Sequence, residues 1–346
     1  MKINIGIVGA GFVSNIHLEG WRKIKNAQVV ALCDINQVQA KELAQRWSIP
    51  KIYSSLDELI KDKSNKEVQI IDICTPPFTH TALVKTALEN GYHVICEKPL
   101  CFTTMEADQI GESVARSENI LEVVRSVMYQ PVVLRAKELI SSGRLGDVIH
   151  MNVEWLHTPK EPMAINSKHW THNIPGGKLA ETIPHLIVLA HNFLGNSEVI
   201  KVLPTKIGSY SWMRSDELNL LFKNGEKTAS AYLSFNAPVE LLTITLFCQK
   251  EVIKIDLNSQ TLNKIGLHPK SDNRFSRFYS LIGNNFEAMG EILKISLKKA
   301  LNQEDTPFYN QARRFLEAIE LNNKTEYSWD KCYNEIKLQE IIALLI

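Results

Sequence analysis

Apolar residues arrive in short, largely unbroken runs through the first third of the chain. Ile3–Val8, Gln28–Cys33, Val68–Cys74, His93–Cys96 and Ile120–Val124 have this form. It is the pattern of strands covered on both faces in a parallel sheet. Between them Val13–Ile24, Gln37–Trp47, Leu56–Ile60, Thr81–Asn90 and Thr104–Arg116 place apolar residues at helical spacing. Strand and helix alternate, which predicts a doubly wound α/β domain of Rossmann type over residues 1–125.

After about residue 125 the period changes. One helix, Val132–Ser141, ends near Gly143, and strands then dominate. Asp147–His157 alternates, with Ile149, Met151, Val153 and Trp155 on one face and His150, Asn152 and Glu154 on the other. Val199–Leu203, Glu217–Phe222, Lys227–Phe235, Leu241–Phe247 and Glu251–Leu257 are further strands, and Asn224-Gly225 is a type I′ hairpin signal. Residues 126–346 are thus expected to form one α+β domain with an open, largely antiparallel sheet. Arg125–Pro131 reads as a hinge and Ser328–Ile346 as a closing helix. Residues 278–301 form an amphipathic stretch with Lys294, Lys298 and Lys299 at its end. The neutral charge of the chain favours a packing or interface helix there over a membrane-surface one.

Bulk properties narrow the class. The 346 residues include 39 Lys and Arg against 38 Asp and Glu, so no basic footprint for nucleic acid exists. The six cysteines form no Cys-x-x-Cys pair, which argues for buried thiols in a reducing compartment and against a metal. With no signal-like leader and no membrane-length apolar run, a cytoplasmic protein is expected.

The chemistry begins at the first strand end. Gly9, Gly11 and Ser14 form a G-x-G-x-x-S variant of the dinucleotide fingerprint, between a strand and a helix. Gly9 permits the turn, Gly11 lets a pyrophosphate approach the backbone, and the amides of Phe12 and Val13 point at the anion. Asp34, about twenty residues on at the second strand end, suits the ribose 2′-OH. No Arg or Lys adjoins it, so NAD is expected rather than NADP. An N-cap role for Asp34 is compatible with this.

Glu97-Lys98-Pro99 closes a later strand, and ligands bind at the carboxyl ends of such strands. A lysine there can take the hydroxyl proton as hydride leaves an alcohol. Thr75, Pro76 and His80 belong to a neighbouring crevice loop, with His80 as either a cofactor contact or an ordinary first-turn residue. Glu181 and His185 stand four apart and share a face if their helix is continuous, although Pro184 signals a kink or a fresh start.

These elements in this order resemble the Gfo/Idh/MocA family of NAD(P)-dependent sugar oxidoreductases. The resemblance rests on the opening fingerprint, Thr75-Pro76…His80, Glu97-Lys98-Pro99-Leu100, Met128-Tyr129-x-Pro131, Gly143-Arg144-Leu145-Gly146 and Gly176-Gly177…His185…Gly195. It implies a Rossmann domain plus an open-sheet domain, homo-oligomers built on that sheet, Lys98 as the catalytic lysine and His185 as the active-site histidine. Glu181 stands where aspartate is usual, Ile183 where glycine is usual, and Val188 where a second aspartate often follows. His169, Trp170 and His172 lie on a loop that approaches the substrate in the family, and a plain surface loop is the alternative. Tyr129 has two readings, contact with nicotinamide or substrate, or simple packing. The expected function is NAD-dependent oxidation or reduction of a sugar, nucleotide sugar or cyclitol bound between the domains over the polar sheet face. The alternatives are a sugar lyase or hydrolase using transient oxidation, and a non-catalytic NAD-sensing regulator.

Overall fold

Six parallel strands form the first sheet: β1 (Ile3–Val8), β2 (Ala27–Cys33), β3 (Lys51–Tyr53), β4 (Val68–Ile73), β5 (His93–Cys96) and β6 (Leu121–Val123), in the order β3-β2-β1-β4-β5-β6. They belong to a computed structural model that describes residues 2–65, 67–265 and 305–346 together with Gly290 and Leu297. The expected helices are present as α1 (Phe12–Arg22), α2 (Gln37–Trp47), α3 (Leu56–Lys61), α4 (His80–Glu89) and α5 (Thr104–Arg116). The three-residue β3 was not among the expected strands, because Lys51-Ile52-Tyr53 offers no apolar run. The strand order reverses between β1 and β4, which opens a ligand crevice at the carboxyl ends of those strands. Local signals set the helix starts. Thr103 and Glu106 form a reciprocal capping box on α5, and Asn36, not Asp34, caps α2.

The second unit contains α6 (Pro131–Ser141), β7 (Val148–Leu156), α7 (Pro162–Ile165), α8 (Gly177–Leu194), β8 (Glu198–Thr205), β9 (Glu217–Asn224), β10 (Lys227–Ser234), β11 (Leu241–Cys248), β12 (Val252–Asp256) and β13 (Thr261–Ile265). Its seven strands run β13-β12-β11-β7-β10-β9-β8, antiparallel except for the β7–β10 pair. Met151 and Val153 of β7 are buried, as are Ala229 and Ala231 of β10, on the face covered by α8. Ile149, expected on that face, is half exposed at the start of the strand. The hairpin turn is Gly225-Glu226, since Asn224 pairs with Lys227. Only Gly225 has positive φ, at 58°, whereas a type I′ turn needs it at both central residues.

The expected single boundary near residue 125 requires correction. The first unit comprises Met1–Ser126 and Thr306–Glu340, and the second Val127–Asp305 and Ile341–Ile346. The chain returns to the first unit through α9 (Pro307–Glu320) and most of α10 (Trp329–Leu344). The cause is apolar packing. Phe308 and Phe315 of α9 are buried with Leu18 and Trp21 of α1 in one core cluster. The amphipathic stretch 278–301 lies outside the described residues apart from Gly290 and Leu297.

Candidate active site

In the first unit the glycine turn is built as the sequence implied. Gly9 adopts φ 108°, and a Cβ there would meet the Cys74 backbone at 2.9 Å, so only glycine fits without strain. Ser14 replaces the third small residue of the motif and ties the helix back to the turn, its hydroxyl donating to Gly9 O at 2.7 Å. A Cβ on Gly11 would meet nothing within 4 Å, so the backbone there is open to a phosphate. Phe12 is 81% exposed and Val13 partly so. Asp34 accepts Ala10 N–H at 2.6 Å on one oxygen and Asn36 N–H at 2.7 Å on the other. Each oxygen keeps a lone pair for a ribose hydroxyl. The open Gly11 backbone and this remaining acceptor capacity fit a dinucleotide.

Thr75 and Pro76 lie on the loop after β4, where the Thr75 and Thr79 hydroxyls share a hydrogen bond of 2.6 Å. His80 is the first residue of α4. It is fully buried, with Nε2 2.8 Å from Thr75 O and Nδ1 2.8 Å from Pro99 O. Burial pushes its pKa down, against the pull of the two carbonyls. His80 therefore bolts the Thr75 loop to the strand-end loop.

Glu97, which the strand-end position offers as a cofactor neighbour, is held within the protein at both oxygens. Its Oε1 lies 3.0 Å from His17 Nε2, and its Oε2 accepts the Lys98 N–H at 2.9 Å. His17 Nδ1 in turn lies 2.9 Å from Asp72 Oδ1. Trp21 Nε1 donates to Asp72 Oδ2 at 2.7 Å. Burial by itself would lower the His17 pKa, but the Asp72 charge and hydrogen bond outweigh it and hold the ring well above the usual histidine value. Burial also acts against ionisation of Glu97, yet the hydrogen bond and charge of His17, with Lys98, bring it below the usual range. The Cys74 thiol, 3.2 Å from His17 Nδ1, is pushed up to about 12, chiefly by burial. Sequence reasoning missed His17 and Asp72. Two signals were present: an aspartate inside a buried parallel strand, and a histidine on the core face of α1. Lys98 stands at the carboxyl end of β5, partly buried, and its bond to Pro99 is cis.

In the second unit α8 runs unbroken through Pro184, so Glu181 and His185 do share a face. His185 is 8% exposed, its ring 5.3 Å from that of Trp155. Trp155 belongs to the Met151–Val153 face of β7. His185 thus lies on the helix-covered side of the sheet. The polar face is spent on cross-strand bonds, His150 to Thr228 and Asn152 to Ser230, both 2.8 Å.

Glu181 accepts an ion-paired hydrogen bond from Lys178 Nζ at 2.9 Å. Lys178, which the sequence reading passed over, is buried; its Nζ also lies 3.9 Å from Glu161 and 5.2 Å from the centre of the Phe235 ring. His169 and Trp170 are partly exposed. Burial, then the charges of Lys178 and His172, lower the His169 pKa. His172 Nε2 donates to Met163 O at 2.9 Å, pinning the loop. Tyr129, given two readings from sequence, is 1% exposed.

Comparison with known proteins agrees with this architecture. Residues 3–124 match the oxidoreductase family with an NAD-binding Rossmann fold, GFO_IDH_MocA. Residues 133–254 match the GFO/IDH/MocA C-terminal domain. The chain belongs to the Gfo/Idh/MocA family. It is an NAD-dependent oxidoreductase, and NAD is its cofactor. It is 28% identical to Oxidoreductase P35 of Formosa agariphila over 68% of this chain and 74% of that one. It is also 28% identical to levoglucosan dehydrogenase of Pseudarthrobacter phenanthrenivorans, over 60% of this chain and 55% of that one. An Agrobacterium radiobacter oxidoreductase, solved with NAD+, L-tartaric acid and magnesium, shares the fold with TM-score 0.79 at 15% identity. That match covers 100% of this chain and 97% of the other. Among the described residues no helix is long and apolar enough to cross a membrane.

Proposed function

We propose that the protein oxidises a secondary alcohol, or reduces the matching ketone, of a sugar, nucleotide sugar or cyclitol, with Lys98 and His185 handling the hydroxyl proton. The observation that carries this reading is the shared crevice of the first unit. The open Gly9–Gly11 turn, the Asp34 acceptor and Lys98 stand at the carboxyl ends of β1, β2 and β5 in a single sheet. NAD, when bound, supplies the hydride acceptor. Lys98 takes the hydroxyl proton in oxidation and returns it in reduction. His185 hydrogen-bonds a substrate hydroxyl and shares its proton. Glu181, held by Lys178, orients that end of the site. The sugar class is supported by the levoglucosan-oxidising relative.

The test is a panel of levoglucosan, myo-inositol and UDP-N-acetylglucosamine, each with NAD, read as NADH absorbance. Turnover of at least one is expected. Lys98→Ala should lower it by about a hundredfold or more while NAD affinity changes less than about threefold. Full activity in that variant removes Lys98 from the mechanism. Failure of the wild type to bind NAD or to oxidise any alcohol in the panel defeats the whole reading.

A further inference from the structure

Asp72 sits inside a buried strand, where a carboxylate is costly unless it is partnered. It is partnered by Trp21 Nε1 at 2.7 Å and by both contacts to His17 Nδ1, at 2.9 and 3.0 Å. The far nitrogen of the same ring meets Glu97 Oε1 at 3.0 Å, and the other oxygen of Glu97 accepts the Lys98 amide at 2.9 Å. Phe308 stacks on the His17 ring at 3.7 Å between centroids, with the planes 18° apart, which restricts its rotation. On the far side of Lys98 the next carbonyl, Pro99 O, lies 2.8 Å from His80 Nδ1.

We propose that His17 is a positioning residue for Lys98: its ring, seated on Asp72, grips the Glu97 carboxylate, and Glu97 in turn holds the Lys98 backbone. The inference rests on the role in proton transfer proposed above for Lys98. Each ring nitrogen of His17 faces a carboxylate oxygen, so satisfying both takes a ring that carries both protons. One imidazolium then joins two carboxylates that would otherwise repel each other inside the sheet. The titratable groups around this network are Asp72 and Cys74 at the end of β4, Cys96, Glu97 and Lys98 at the end of β5, and His80 of α4.

The experiment uses the full chain and two variants, His17→Gln and Glu97→Gln. The first readout needs no substrate: trace acetylation of the Lys98 amine relative to exposed lysines of the same chain, quantified by mass spectrometry. His17→Gln should change that ratio by at least about threefold. On levoglucosan or myo-inositol, whichever the wild type oxidises, kcat should fall by about a hundredfold, the scale of a small misplacement of a reacting group. NAD affinity and KM should move less than about threefold. Glu97→Gln should match it, and the double variant should be no worse than either single one, since the residues act as one unit. The nitrogen-15 imidazole spectrum of the wild type at about pH 8 should show one doubly protonated ring, assigned to His17.

A folded His17→Gln with unchanged Lys98 labelling overturns the proposal, as does a neutral His17 in the wild type or a strictly additive double variant. If the wild type oxidises no alcohol of the panel, the functional reading loses its support while the labelling ratio still decides this one. If His17→Gln does not fold, Glu97→Gln and the imidazole spectrum decide it.

Discussion

Two glycines of one turn separate backbone strain from ligand space. Gly9 is required by the fold, because φ 108° and the 2.9 Å approach to the Cys74 backbone both exclude a side chain. Gly11 is not: its φ is −76°, and a methyl group at that position would meet nothing within 4 Å. Gly9→Ala should therefore lower stability by about 1–3 kcal/mol, visible as a fall in Tm. Gly11→Ala should leave Tm within about a degree or two but weaken NAD binding by about tenfold or more, measured by fluorescence titration, because the methyl occupies the phosphate approach. Equal effects on Tm would show that Gly11 too is held by the fold. At this scale the sequence was informative wherever a residue type is tied to backbone geometry or to a strand end, as with Gly9, Asp34 and Lys98. It was silent where function depends on contacts between distant residues. The ion pair of His17 and Glu97 spans 80 positions, and no local period reports it. Lys178 was hidden for a different reason, since a lysine beside two glycines at a helix start reads as solvated until its carboxylate partners are known.

Among the elements, the return of the chain through α9 was the least legible feature. Its stripe is strongly amphipathic, yet a stripe says only that an apolar face is buried, not against which sheet. The structure answers with a buried polar contact as well as with Phe308. Gln311 of α9 donates to Glu122 Oε1 of β6 at 2.6 Å and to Val123 O at 2.9 Å. Burial pushes the Glu122 carboxyl up to about 7, against the pull of Thr325, Gln311 and the Tyr327 amide. The folded protein thus holds this proton more tightly than the unfolded chain, whose carboxyl titrates near the ordinary value. The resulting stabilisation is complete below the unfolded pKa. It declines as pH rises between the two values and is lost above about 7. Wild-type stability should accordingly fall between about pH 5 and pH 8, with Glu122 contributing on the order of 3 kcal/mol. Glu122→Gln should remove that share of the slope. Denaturant unfolding at the two pH values measures it, and parallel pH dependences in the two proteins would exclude Glu122 as the source. By contrast the helical spacing of Glu181 and His185 on α8 was legible. Only the tolerance of Pro184 was not, because a helix this thoroughly buried is held by packing rather than by every internal hydrogen bond.

For the whole molecule the open question is what covers the second sheet. Its seven strands carry α8 on one face. On the opposite face Thr243 donates to Glu154 at 3.1 Å in a ladder with the His150–Thr228 and Asn152–Ser230 bonds. Into that ladder are set Leu221 and Phe247, 38% and 40% exposed. Their placement follows from register, since Leu221 pairs with Ser230 and Phe247 with His150. A homo-oligomer built on this sheet, as the family resemblance implies, would bury these two side chains. We therefore propose a homo-oligomer built through this face, with a mass of two or four times the 39.2 kDa chain. Light scattering after size exclusion at micromolar concentration measures it directly. Leu221→Lys combined with Phe247→Asp places two unlike charges on each copy, and both must lose water if the face is buried. That pair should shift the mass toward one chain while far-ultraviolet circular dichroism and NAD affinity stay as in the wild type, because neither residue touches the α8 face or the glycine turn. A wild type that elutes as a monomer, or a double variant that keeps its oligomeric mass, would leave the sheet face open and move the contact elsewhere.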